Sequence, residues 1–300
     1  MPSPPLAVSI ETSAAAQLAV LAIAGLLYTW RAHTLSQGEG RVPAPRRASF
    51  YGGLALAAGA LAGLGPTGQH LLWVHMVQTI LLGDLAALSI VLGLTEPLLA
   101  PLQRLPLIGR VRMLAHPAVA FPLWLVDLYA WHLRVFFQAA MHHTSLQALQ
   151  HALLLALGMN MWMCLFGPLS KPRWFGHGAK LGYVLAVRLA GATLANLLLW
   201  SGTIFYPYFL TGEARFHVSP VADQNVAGAL MLGEEAILTL CLLYWLAKRT
   251  GGPAREPVRQ PAGTSSTEDA VSVRARTSAH GGLRGAESPE PMQARASERR

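Results

Sequence analysis

The sequence predicts an all-α integral membrane protein. About seven transmembrane helices occupy residues 1–249, and a polar tail occupies residues 250–300. Three observations carry this. Charged residues make up only 13% of the chain, against about 25% in soluble domains, and the mean hydropathy is +0.38. The apolar residues gather in runs of about 20, the length that crosses about 30 Å of hydrocarbon. The connections between these runs alternate between basic and nearly uncharged.

The expected spans are 14–30, 50–65, 70–94, 117–140, 146–168, 180–204 and 224–247. The second is short and rich in Gly and Ala. Stretches such as 85–94 and 190–200 are apolar on nearly all sides, unlike the one-sided stripe of a soluble helix. Small residues inside the spans allow close helix packing in lipid. Cys164 and Cys241 both sit within apolar runs, so a disulfide framework is excluded, and neither belongs to a CxxC motif. The tail, rich in Gly, Pro, Ser, Glu and Arg, has too little apolar surface to offset its ordering entropy and is expected to be disordered.

Loop charge sets the expected orientation. Residues 1–13 carry no Lys or Arg, whereas the first connection carries Arg31, Arg41, Arg46 and Arg47. Arg104, Arg110 and Arg112 lie in the third, Lys171, Arg173 and Lys180 in the fifth, and Lys248 and Arg249 open the tail. The second and fourth connections have none, and the sixth has only Arg215. Arg134, in the outer third of the fourth span, runs against the pattern, and its long side chain can snorkel to the surface. The positive-inside rule then puts the N-terminus outside and the C-terminus in the cytoplasm. The sequence pI is near 10, but the basic residues form loop clusters rather than one patch, so no nucleic-acid partner is expected. Membrane lipid is.

Of the 11 histidines, seven map to the expected outer side: His70, His75, His132, His142, His143, His151 and His217. By helix rise, His75, His132 and His151 lie roughly 7–12 Å below the outer helix ends, so three spans present imidazole at a similar depth. Imidazole ligates copper, zinc, iron and haem. Thioethers at Met76 and Met141 on the same side favour a soft metal, and His143 is a further candidate ligand. The plainer alternative is interfacial histidine bonded to loops and water. A second polar set, Asp84, Asp127 and Arg188, lies roughly 20–24 Å from the outer ends. An arginine at that depth needs a counter-charge, so a structural ion pair and a proton path are both open. Asp84 follows His75 by nine residues and points to the opposite side of the helix. In the seventh span Asp223 and Glu234 share a face, while adjacent Glu234 and Glu235 are expected to point in different directions.

These residues fall into a pattern that resembles the multi-span cytochrome c oxidase assembly factors of caa3-type systems, the CtaG family. The matching pieces are His75-Met-Val-Gln78, His116-Pro117, Trp131-His132, and His151 with Trp162 on the same face. They continue with Tyr206-Pro-Tyr208 and Asp223-Gln224-Asn-Val-Ala-Gly228-Ala-Leu-Met231. The match runs over about residues 60–248. The resemblance implies a seven-span protein of the bacterial plasma membrane that helps to mature a haem–copper oxidase. It implies copper, as Cu(I), handled on the outer side, with His75, His132 and His151 as ligands aided by Met76 or His143. The implied partners are an oxidase subunit or other assembly factors. Two departures stand out. Thr79 occupies a position where the family usually has His, and Gln147-Ala-Leu-Gln150-His151 stands where it usually has His-x-x-Glu-His.

On this reading the protein has no turnover chemistry. The alternatives are a haem-b or quinone-linked oxidoreductase subunit and a small-solute or metal transporter. Histidines on facing helices permit one haem, but no second histidine layer exists on the inner side to extend electron transfer. A retinal protein would need a lysine within a span, and Lys171, Lys180 and Lys248 all lie at span ends.

The orientation has a direct test. In a background without Cys164 and Cys241, a membrane-impermeant thiol reagent added outside intact cells should modify Ser145→Cys and spare Arg47→Cys. The reverse labelling pattern would invert the topology and move the histidine layer to the cytoplasmic side.

Overall fold

The computed structural model describes residues 4–36, 40–101 and 113–250, which are helix, turn and loop with no strand among them. Arg104, Arg110, Arg112 and the tail from 251 onward lie outside the described residues. The principal helices are α1 (Pro4–Ser36), α2 (Ala44–Gly68), α3 (Leu72–Gly93), α4 (Pro117–His132), α5 (Arg134–His142), α6 (Thr144–Phe166), α7 (His177–Trp200), α8 (Leu210–Arg215) and α9 (Pro220–Thr250). Among the described residues six helices, α1, α2, α3, α6, α7 and α9, are long and apolar enough to cross a membrane.

The fourth expected span departs from expectation. It is two helices, not one. α4 has 16 residues, about 24 Å at 1.5 Å per residue, which is short of the hydrocarbon thickness. The chain turns at Leu133 (φ −68°, ψ 130°) and restarts as the nine-residue α5. A continuous helix would engage the His132 carbonyl in its own ladder. Here the Tyr206 hydroxyl donates to it at 2.7 Å. The turn also seats Phe137, Ala140 and Met141 of α5 in the core at the histidine end of the bundle.

α3 is the central element, packed against α2, α6 and α9, while α7 runs along α9 and α4 lies against α6 and α7. Small residues make these crossings close. A Cβ at Gly158 of α6 would fall on the Gly83 carbonyl of α3, and one at Gly228 of α9 would meet the α7 backbone at Ala195 and Leu199. α2 and α3 each contain a π-helical stretch, Ala60–Leu64 and Leu81–Ala86. One apolar core, with Met161, Trp162, Val184 and Val187, fills the half away from the histidines, and another, with Met76, Phe137, Leu198 and Phe209, fills the histidine end. Large apolar side chains such as Leu26, Trp30, Leu189, Trp200 and Leu240 face outward. That surface suits hydrocarbon rather than water.

The α3–α6 crossing predicts a sharp contrast. Gly158→Ala should overpack the interface and cost about 1–3 kcal/mol, the usual range for a methyl forced into a filled core. Gly182→Ala, with nothing within 4 Å of its added Cβ, should leave the melting temperature in detergent close to that of the parent. Equal melting of the two variants would refute the close approach.

Candidate functional site

The histidine end is built around the start of α3. Leu71 is extended (φ −134°, ψ 130°) and no side chain within the segment caps the helix. The cap comes from α9: the Leu72 and Trp73 amides donate to the Asp223 carboxylate at 2.8 and 2.9 Å. A helix N-terminus leaves its first amides without internal partners, and an anion there also opposes the helix dipole. The neighbouring Gln224 ties the chain after α7: its Oε1 accepts from the Phe205 amide at 3.0 Å, and its Nε2 donates to the Thr203 carbonyl at 3.1 Å. Asp223 and Gln224 are therefore scaffolding residues that position neighbouring elements.

His75, one turn into α3, is fully buried. Its ring lies against Phe137 (centroids 5.1 Å apart) and Phe209 (6.4 Å). Neither ring nitrogen has a hydrogen-bond partner, and His151 and His132 are the ionisable groups in electrostatic range of it. His132 pairs through Nδ1 with the Leu128 carbonyl at 2.7 Å. A carbonyl only accepts, so Nδ1 carries the proton and Nε2 the free lone pair. His151 pairs through Nδ1 with Gln17 Oε1 at 3.1 Å, which fixes the same tautomer. In both rings Nε2 is buried and without a partner. Metal-binding histidines have this arrangement: the far nitrogen donates to an oxygen and the near one is left for the ion.

The other sequence candidates separate. Met76 is fully buried in the histidine-end core with Leu72, Phe137 and Met231, and the Thr79 hydroxyl lies 3.9 Å from its sulfur. His143 is exposed at the N-terminus of α6, on the surface rather than with the buried histidines. Thr79 lines a cavity of about 50 Å³ together with His132. Gln147 lines a separate pocket of about 300 Å³ that reaches His151 between α1, α2 and α6. The described residues contain no group of three or more His, Cys, Asp or Glu side chains arranged to hold a common metal ion.

The deeper polar set forms a cluster. Arg188 Nη2 donates to Asp84 Oδ1 at 3.1 Å, while Nη1 lies 3.4 Å from Glu234 Oε1 and 3.0 Å from Glu235 Oε2. The different directions expected for the two adjacent glutamates are not found. Both long side chains bend to one guanidinium from neighbouring positions on α9. Glu235 has room because it lies against Gly191 of α7, where a Cβ would strike its carboxylate. Asp127 is not an ion-pair partner of Arg188. Its Oδ1 accepts from Trp131 Nε1 at 2.7 Å. Two positioning contacts, Tyr206 to His132 and Asp223 to α3, escaped the sequence reading, because each joins segments far apart in the chain.

A family model described as cytochrome c oxidase caa3 assembly factor matches residues 26–250. No curated protein and no solved structure matches the chain significantly. The family match covers three quarters of the sequence, and the protein belongs to this family of cytochrome c oxidase assembly factors.

The cap on α3 carries a pH signature. Glu213 of α8 is buried beside Asp223, and burial, followed by the hydrogen bond and charge of Asp223, pushes the Glu213 carboxyl up to about 7 from 4.5. Between those values the folded protein holds more protons at this site than the unfolded chain. Stability should therefore be fully present below about 4.5 and be lost as pH rises toward about 7. Glu213→Gln should flatten the melting temperature over that window. An unchanged pH slope in the variant would show that Glu213 does not set it.

Proposed function

We propose that this member of the oxidase assembly factor family holds Cu(I) as cargo among His75, His132 and His151 at the outer side of the membrane, for transfer to a haem–copper oxidase during its assembly. The observation that supports the reading is the set of buried imidazole nitrogens without partners: both on His75, and Nε2 on His132 and His151. A buried polar atom without a partner is costly and calls for an explanation such as an ion. Imidazole ligands suit copper better than magnesium or calcium.

The ligand set is lean. Thr79 and Gln147, which line cavities with His132 and His151 respectively, offer a hydroxyl and an amide in place of further imidazoles. A cargo that must leave again is served by a site of two or three neutral ligands without carboxylate or thiolate. The pocket lined by Gln17, Gln69, Gln147 and His151 is the natural route of entry, and the hydrogen bond from His151 to Gln17 on α1 keeps the ring oriented along it. The role needs no reaction on the protein itself.

Copper retained by detergent-purified protein under reducing conditions provides the test. His132→Ala should lose the copper and lower oxidase maturation together. His177→Ala, at the far end of α7, should do neither. Protons compete with the metal for neutral imidazole, so acidification should release the copper, and Thr79→His with Gln147→His should tighten it. A protein that carries no copper yet still supports oxidase assembly would reduce the site to a scaffold for the partner subunit.

A further inference from the structure

We propose that Asp84, Glu234 and Glu235, gathered around Arg188, form a proton-binding site in the middle of the bundle, in contact with water through the cavity that extends to His132. Such a site needs no copper.

Charge is the first argument. Three carboxylates meet one guanidinium, at 3.1, 3.4 and 3.0 Å. With all of them ionised, the cluster carries two uncompensated negative charges among apolar helices. Asp127 on α4, on the same cavity, would add a third. The groups facing the cluster from each packed helix are few. α3 brings Asp84, α4 brings Asp127 and His132, α9 brings both glutamates, and α7 brings Arg188 with Tyr183 one turn away. α6 offers Leu154 to the cavity and the Trp162 ring, 5.3 Å from the guanidinium. Among the described residues no second cation pairs with these carboxylates. An unpaired carboxylate in such surroundings is expensive, and the cheap remedy is to bind a proton.

Two further observations turn a crowded ion pair into a site. Glu235 is 6% exposed, lines the cavity, and its Oε2 makes no hydrogen bond despite its nearness to Arg188. The α7 backbone has been cleared for that carboxylate at Gly191. The cavity itself, about 50 Å³, has space for a few water molecules at about 10–15 Å³ each. It is lined by Asp84, Asp127, Glu234 and Glu235 at one end and by Thr79 and His132 at the other. A proton on the cluster therefore has polar partners and a wet path toward the histidine end, whereas a group sealed in apolar packing would have neither.

The test uses the full-length protein in lipid nanodiscs, with Glu213→Gln in the background to remove the separately titrating carboxyl of α8. Infrared absorption at neutral pH should contain a protonated-carboxyl carbonyl band that shifts in D2O. Glu234→Gln and Glu235→Gln should each remove part of it, and Arg188→Gln, which takes away the one cation, should increase it. A well-folded parent without the band, or a band undiminished from the parent's in both glutamine variants, would overturn the proposal. Melting temperatures guard against variants that fail to fold. The parent should lose stability as pH is raised above neutral, and Glu234→Gln should lose less. Stabilisation by sodium or calcium ions at fixed pH, absent from the glutamine variants, would identify a metal cation in place of the proton and overturn the proposal.

Discussion

One carboxylate fixes the level of the histidine layer. Asp223 of α9 accepts from the first two amides of α3, across 151 residues of sequence. A capping side chain in water stabilises a helix by about 0.5–2 kcal/mol, and in a lipid-facing bundle the alternative is worse because no water replaces it. Remove that anchor and the first turn of α3 frays, with His75 only one turn further in. Gln224 and Tyr206 extend the same function. The first closes the chain that follows α7, and the second holds the carbonyl of His132 where α4 stops. Residues that mark the family in sequence thus serve as the frame that sets the depth of two imidazoles.

The helical bundle and the shared level of Asp84 and Arg188 were legible because both follow from periods the sequence displays. A run of about 20 apolar residues has one use in a membrane, and a rise of 1.5 Å per residue converts a position into a depth. That arithmetic correctly grouped Asp84 with Arg188. It could not choose among acids at one level, so Asp127 was an equal candidate, and the choice is made by Trp131 occupying Asp127 within its own helix. Nor could it see the turn at Leu133. The stretch from Leu133 to Phe137 has neither Gly nor Pro, and the turn is held by Tyr206, more than 70 residues away. The π-helical stretch that carries Asp84 lies where α6 approaches Gly83 closely, a contact between segments far apart in the chain.

The adjacent glutamates show where a helical wheel misleads. Two neighbouring positions differ by about 100°, which rules out a shared direction for short side chains. Glutamate has three rotatable bonds, and a guanidinium presents donors along a fork rather than at a point. Arg188 therefore collects Glu234 and Glu235 from two flanks of α9 and Asp84 from α3. With the Trp162 ring 5.3 Å from its guanidinium, the arginine joins α3, α6, α7 and α9 at one level.

Side-chain atoms left without partners show where the bundle departs from pure packing. Lipid gives no hydrogen bonds, so a helix in it satisfies its own backbone and buries few polar side chains. The unpartnered buried atoms nevertheless gather in two main places. At the histidine end they belong to His75, Gln78, His132, Gln150 and His151; around the ion cluster they belong to Trp162, Arg188 and Glu235. α3 passes through both. The histidine layer is an excess of neutral lone pairs. The cluster below it is an excess of negative charge around one guanidinium. Replacing a buried ionic group with apolar side chains of similar volume is often neutral for stability. α3 packs against α2, α6 and α9, and through His75 and Asp84 it carries one member of each layer.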